Sequence, residues 1–182
     1  MSELLITPSQ TIGPFFKDGL HWPNGGQLFP DSIPGCRVRV HGTLADFQDR
    51  PVPDALLEFW QPNAAGHFGG LSEGSGAGFG RVQTDSNGRF AISTICPGQV
   101  PSAKGVLQAP HILVLVFARG LLRQLLTRVY FEGETANAND PVLALCGVRA
   151  PTLIAKRDAS GADAYVWNIA LQGSRETVFF EA

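Results

Sequence analysis

Residues Ala109–Gly120 read A-P-H-I-L-V-L-V-F-A-R-G, and the six from Ile112 to Phe117 form the longest uninterrupted apolar run in the chain. Pro110 precedes the run and Gly120 ends it. Val114, Val116 and Phe117 are β-branched or aromatic, so the spacing predicts a strand buried on both faces. A helix of that length would be short and would lack an N-cap residue. His111 sits at the mouth of the strand, and Leu113, two residues on, points to the same side. A strand opening H-x-H would offer two imidazoles to a metal; this one offers an imidazole and a hydrocarbon.

Working outward, Cys36–Leu44 alternates Val38 and Val40 with Arg37, Arg39 and His41, the pattern of a half-buried strand. Ala55–Gln61 predicts a second strand, ended by Pro62-Asn63. Arg81–Thr84 and Arg89–Thr94 flank Asp85-Ser86-Asn87-Gly88, whose Asn-Gly step is a hairpin signal. Leu121–Leu126 fits either a helical turn or a strand, and Thr127–Phe131 is a strand by composition. Asp140-Pro141 reads as an N-cap with proline at the first helical position, and Gly147 closes that short helix. Thr152–Arg157 and Ala164–Leu171 make a last hairpin around Gly161, and Thr177–Phe180 adds a candidate edge. Short strands at intervals of about 8–12 residues with turns between them predict an all-β fold, an antiparallel β-sandwich with long loops, an extended N-terminal arm and one short helix.

The arm is Thr7–Phe16, T-P-S-Q-T-I-G-P-F-F. Pro8 and Pro14 bias the residues before them toward extended backbone. Ile12, Phe15 and Phe16 are too apolar for a solvated tail, so the arm is expected to lie against a surface. Lys17–Gly35 continues as loop, with Trp22 and Phe29 as anchors. The expected organisation is an arm and loop over 1–35, packing on a partner chain, and a β-sandwich over 36–182.

Composition agrees with a subunit. Of the 182 residues only 16% are charged, against about 25% in an average soluble protein, while glycine (21) and proline (13) are abundant. Sizeable surfaces are therefore expected to be covered by something else. The net charge of −2 comes with no basic block, so neither nucleic acid nor an anionic membrane is indicated. Cys36, Cys96 and Cys146 make no C-x-x-C pair and are odd in number, which predicts reduced thiols and a cytoplasmic setting rather than a disulfide framework or zinc site. No basic n-region or long apolar stretch follows Met1, so no signal peptide is expected.

Eight motifs then recur in order. They are T-P-S-Q-T-I-G-P-F-F, L-E-F-W-Q-P-N-A-A-G at 57–66, T-D-S-N-G-R-F at 84–90, A-P-H-I at 109–112, F-A-R-G at 117–120, T-R-V-Y-F at 127–131, L-I-A-K-R at 153–157 and Q-G-S-R-E-T-V-F-F at 172–180. In this the chain resembles the intradiol catechol dioxygenases, and within them the two-chain enzymes that cleave protocatechuate with O2 to 3-carboxy-cis,cis-muconate. The resemblance implies a non-haem Fe3+ held by two tyrosines and two histidines in the catalytic chain. Mapped by motif, those four places carry Phe68, Val100, His111 and Leu113 here. A hard trivalent ion needs anionic oxygen donors, so this chain is expected to bind no metal and to supply no catalytic acid, base or ligand.

The two-chain enzymes pair a degenerate chain with an iron-bearing beta chain of the same fold. The resemblance implies that Thr11, Gly13 and Pro14 of the arm, and Arg128, complete the partner's substrate pocket in a higher-order alpha–beta oligomer. A guanidinium suits the substrate carboxylate, and Gly-Pro backbone can approach a planar ring closely. A self-sufficient dioxygenase would have to recruit Tyr130 or Tyr165; a β-sandwich binding module would need no enzymatic partner.

Overall fold

The computed structural model describes residues 6–13, 15–20, 22–69, 78–159, 161 and 163–181. Pro14, His21 and most of the Gly66–Gly80 loop lie outside the described residues. Eleven strands are present among the described residues: β1 (Arg37–Ala45), β2 (Leu56–Trp60), β3 (Phe79–Gln83), β4 (Arg89–Ile95), β5 (Val100–Pro101), β6 (Leu107–Gln108), β7 (His111–Phe117), β8 (Leu125–Phe131), β9 (Ile154–Arg157), β10 (Ala164–Val166) and β11 (Ile169–Ala170).

Nine of them make one sheet in the order β11-β1-β10-β9-β8-β7-β2-β3, with β4 joined to β1; β5 and β6 form a separate ribbon. The Asp85–Gly88 turn carries β3 into β4, so the sheet nearly closes on itself. The antiparallel expectation is corrected here. Three pairings are parallel, β1 with β10, β1 with β11 and β8 with β9, inside an otherwise antiparallel sheet. Their cause is local. The predicted Ala164–Leu171 strand breaks at Trp167-Asn168, where Trp167 N–H donates to the His41 carbonyl at 2.8 Å and Asn168 Oδ1 accepts from the Thr43 N–H at 3.0 Å. The two halves thus run alongside β1. Gly42 permits the approach, because a Cβ there would collide with the Trp167 carbonyl.

The main core lies inside this wrapped sheet and is filled by Val38, Val40, Leu57, Phe59, Ile92, Val114 and Val129 among others. On β7, Ile112, Val114 and Val116 are fully buried, whereas Leu113, Leu115 and Phe117 are half-buried. The strand is therefore covered completely on one face only. Residues 24–29, read as loop, contribute more than anchoring. Arg81 N–H donates to the Gly25 carbonyl (2.9 Å), Ser93 N–H to the Gly26 carbonyl (2.7 Å) and Leu28 N–H to the Ser93 carbonyl (3.0 Å), while Leu28 and Phe29 enter the core. This segment bridges β3 and β4.

Two helices are present among the described residues. α1 (Phe16–Gly19) is a single turn where the end of the arm and the start of a loop were expected, and α2 (Pro141–Cys146) is the predicted Asp140-capped helix. Two 3-10 stretches, Thr135–Asn139 and Gly147–Leu153, flank α2. Together they cover Tyr130 and Leu153 in a second, smaller core.

Candidate functional site

The four places at which the resemblance puts iron ligands gather at one end of the sheet. Leu113 pairs with Arg128 of β8 on one side and with Trp60 of β2 on the other, and His111 pairs with Tyr130. Directly opposed residues share a face, so Trp60, Leu113, Arg128, His111 and Tyr130 stand together. Phe68 lies with its ring 6.4 Å from that of Trp60. Val100 pairs with Gln108, whose Oε1 accepts from Arg128 Nη1 at 2.7 Å.

Hydrogen bonds fix the polar members. Asp140, only 1% exposed, is more than a helix cap. Its Oδ1 accepts from the Val142 and Leu143 amides (2.9 and 2.8 Å) and from the Tyr130 hydroxyl (3.2 Å), and its Oδ2 accepts from the Ala109 amide at 2.7 Å. One carboxylate thereby ties α2 to the mouth of β7. His111 Nδ1 lies 2.7 Å from the Ala109 carbonyl, which can only accept, so Nδ1 carries the proton. Burial, with the adjacent Arg128 guanidinium, pushes the His111 pKa down to about 4 although the Ala109 carbonyl opposes this. Burial pushes the Tyr130 phenol well above its ordinary value. Arg128 Nη1 also donates to Tyr130 Oη at 3.3 Å, and its guanidinium lies 5.8 Å from the Phe180 ring centre.

This donor set does not fit a ferric ion. Phe68, Val100 and Leu113 have no donor atom. Tyr130 is held as a neutral phenol, and the group opposite Leu113 is a guanidinium, which repels a trivalent cation. Among the described residues no three His, Cys, Asp or Glu side chains are clustered for a metal. Tyr165 is buried in β10, its ring edge-on to Phe131 at 5.1 Å. His41 bonds Asp158 at 2.7 Å, and the His67 backbone closes a turn with Asn63.

The arm lies elsewhere. Gly120 N–H donates to Thr11 Oγ1 at 2.7 Å, Phe16 packs on Phe117 with ring centres 5.6 Å apart, and Phe16 N–H donates to the Gly13 carbonyl at 3.2 Å. Thr11 and Gly13 are exposed. The arm is thus pinned beyond the far end of β7, whereas Arg128 sits across from Leu113. Leu113 and Phe117 are four residue steps apart along the strand, about 13 Å at 3.3 Å per residue. The structure brings Thr11 and Gly13 together and leaves Arg128 apart. Arg119 precedes Gly120 in the chain; its side chain is just over half exposed and its Nη2 reaches Asp54 Oδ2 at 3.2 Å. Asp140 is the residue whose reach sequence reasoning passed over; it was read only as a cap.

A family model described as Dioxygenase matches residues 13–173. The protocatechuate 3,4-dioxygenase alpha chain of Burkholderia cepacia is 40% identical over an alignment that covers all of both chains. The beta chain of the same name and organism is 33% identical over 59% of this chain and 50% of its own length. Among solved structures, the dioxygenase domain of a carbohydrate-binding fusion protein from Streptomyces sp. SirexAA-E superposes with a TM-score of 0.66 at 29% identity, covering 92% of this chain and 99% of that one. With the fold, the order of the motifs and a relative matched end to end, the chain belongs to the intradiol ring-cleaving dioxygenases.

Proposed function

We propose that this chain is the iron-free alpha subunit of a hetero-oligomeric protocatechuate 3,4-dioxygenase, and that it completes the substrate pocket of an iron-bearing beta chain. The observation that carries the reading is the row Trp60–Leu113–Arg128 with Phe68 and Val100: hydrocarbon and one guanidinium where the family's ligands would stand. The Fe3+ of the beta chain supplies the O2 chemistry that opens the ring between its hydroxylated carbons. This chain's residues bind, orient and exclude water.

The arm is the part that reaches the partner. Ile6 and Phe15 are 96% and 79% exposed, an apolar display consistent with a covered surface. Thr11 and Gly13 present hydroxyl and bare backbone at that end, and Pro14 completes the same motif. Two guanidinia compete for the substrate carboxylate. Arg128 meets Gln108 and Tyr130, and Arg119 meets Asp54, each inside this chain. Arg128 is the one set among the degenerate ligand positions, and it is the guanidinium proposed for the carboxylate, with Thr11, Gly13 and Pro14 of the arm. The arm over 1–35 and a two-layered sandwich over 36–182, working in the cytoplasm, complete this reading.

Expression with and without the beta chain tests it. Alone, this chain is colourless, inactive and poorly soluble; together, iron analysis gives one ferric ion per alpha–beta pair. A red, iron-loaded preparation of this chain alone would establish a self-sufficient dioxygenase instead, and a stable monomer that captures no beta chain would favour a binding module.

A further inference from the structure

We propose that Cys36 and Cys96 are a modification site: a vicinal dithiol that a small oxidised disulfide, such as oxidised glutathione, closes reversibly into a cross-strand disulfide. Both are free thiols. The register of β1 against β4 pairs Arg37 with Ile95, so one step outward sets Cys36 opposite Cys96, and Cys96 N–H donates to the Cys36 carbonyl at 2.8 Å. Residues opposed in this way have Cα atoms about 5.5 Å apart and side chains on one face, within the span of about 4.4–6.8 Å that a disulfide bridges. They open on one cavity of about 230 Å3, walled in part by Pro97, Pro110, Phe131 and Tyr165. Cys146 has no such neighbour; its thiol sits in α2, 3.2 Å from the Val142 carbonyl.

Exposure divides the roles. Cys36 is exposed and Cys96 is half-buried. Burial, then the Cys36 contact, pushes the Cys96 thiol up to about 11, which marks it as the resolving group. The Cys36 thiolate attacks one sulfur of oxidised glutathione, forming a mixed disulfide and releasing one glutathione thiolate. Cys96 then gives up its proton and attacks the Cys36 sulfur, releasing the second. Two protein thiols are oxidised, one small disulfide is reduced to two thiols, and both protons end on glutathione. The new bond would fasten two segments. Cys96 leads through Pro97 to Val100, and Cys36 adjoins Arg37, whose guanidinium clasps the Phe29, Pro30 and Ile33 carbonyls at 3.1, 2.6 and 2.8 Å.

The full chain, in whatever complex it purifies, is equilibrated with glutathione buffers of graded poise, quenched in acid, denatured and counted for thiols. The expected result is a fall from three titratable thiols to one, with a peptide linking Cys36 to Cys96. Cys146→Ser should fall from two to none, and Cys96→Ser should stop at a glutathione adduct on Cys36. A wild-type protein that also stops at the Cys36 adduct, or whose crosslinks involve Cys146, overturns the proposal.

Discussion

Replacing Asp140 with alanine removes one buried carboxylate and leaves four donors without an acceptor: the Ala109, Val142 and Leu143 amides and the Tyr130 hydroxyl. The lost cap costs about 1 kcal/mol. The Ala109 amide is buried and has no solvent to turn to, which adds about 1–3 kcal/mol. The Tyr130 hydroxyl loses its acceptor as well, since the Arg128 guanidinium beside it only donates. The cap and the Ala109 amide together sum to about 2–4 kcal/mol, or roughly 4–16 °C in Tm at 2–4 °C per kcal/mol for a chain of this size. Asp140→Asn should fall between the two. Its carbonyl oxygen can still cap α2, but its amide group turns a donor toward the Ala109 N–H. Thermal unfolding of the assembled protein measures the total, and hydrogen exchange over residues 107–115 measures the Ala109 share. A fall of less than about 2 °C with undiminished protection at Ala109 would refute the bridging role.

Further outcomes follow from His111 and the two arginines. His111 is held neutral in the folded state with its pKa lowered to about 4, against about 6.5 unfolded. The unfolded chain therefore binds the extra proton first, and stability is full above pH 6.5 and declines as pH falls toward 4, by at most about 3 kcal/mol. His111→Gln should flatten that part of the profile in urea titrations across pH 4–7; an unchanged slope would count against a buried neutral imidazole. In the complex, Arg128→Ala should raise KM for protocatechuate about 10-fold or more, the value of one charge-assisted hydrogen bond of about 1.5–3 kcal/mol, without altering the iron colour. Arg119→Ala, which breaks only the Asp54 pair, should leave KM nearly unchanged; the reverse pattern in steady-state kinetics would move the carboxylate to Arg119.

Local chemistry was readable in the sequence, and long-range pairing was not. The apolar run of β7, the Asn87-Gly88 hairpin and the Asp140-Pro141 cap each depend on neighbours within a few residues, so the chain declares them. The parallel pairing of β10 and β11 with β1 depends on Trp167 and Asn168 meeting His41 and Thr43 from more than a hundred residues away, and no periodicity records that. Residues 25–28 read as loop because their hydrogen bonds go to two strands at once rather than to a repeating ladder. At the site, the substitutions at Phe68, Val100 and Leu113 were visible as residue types. That Arg128 faces Leu113, and that Thr11 leans on Gly120 beside Arg119, are facts of register.

The bridge over residues 25–28 has a consequence for how this protein can fail. The backbone groups of Arg81 and Ser93 that it occupies would otherwise be open templates, ready to recruit an extended strand from another molecule. Loss of this segment would bare both margins at once and open the remainder to edge-to-edge association. These few residues before β1 thus guard the two margins as well as filling the core.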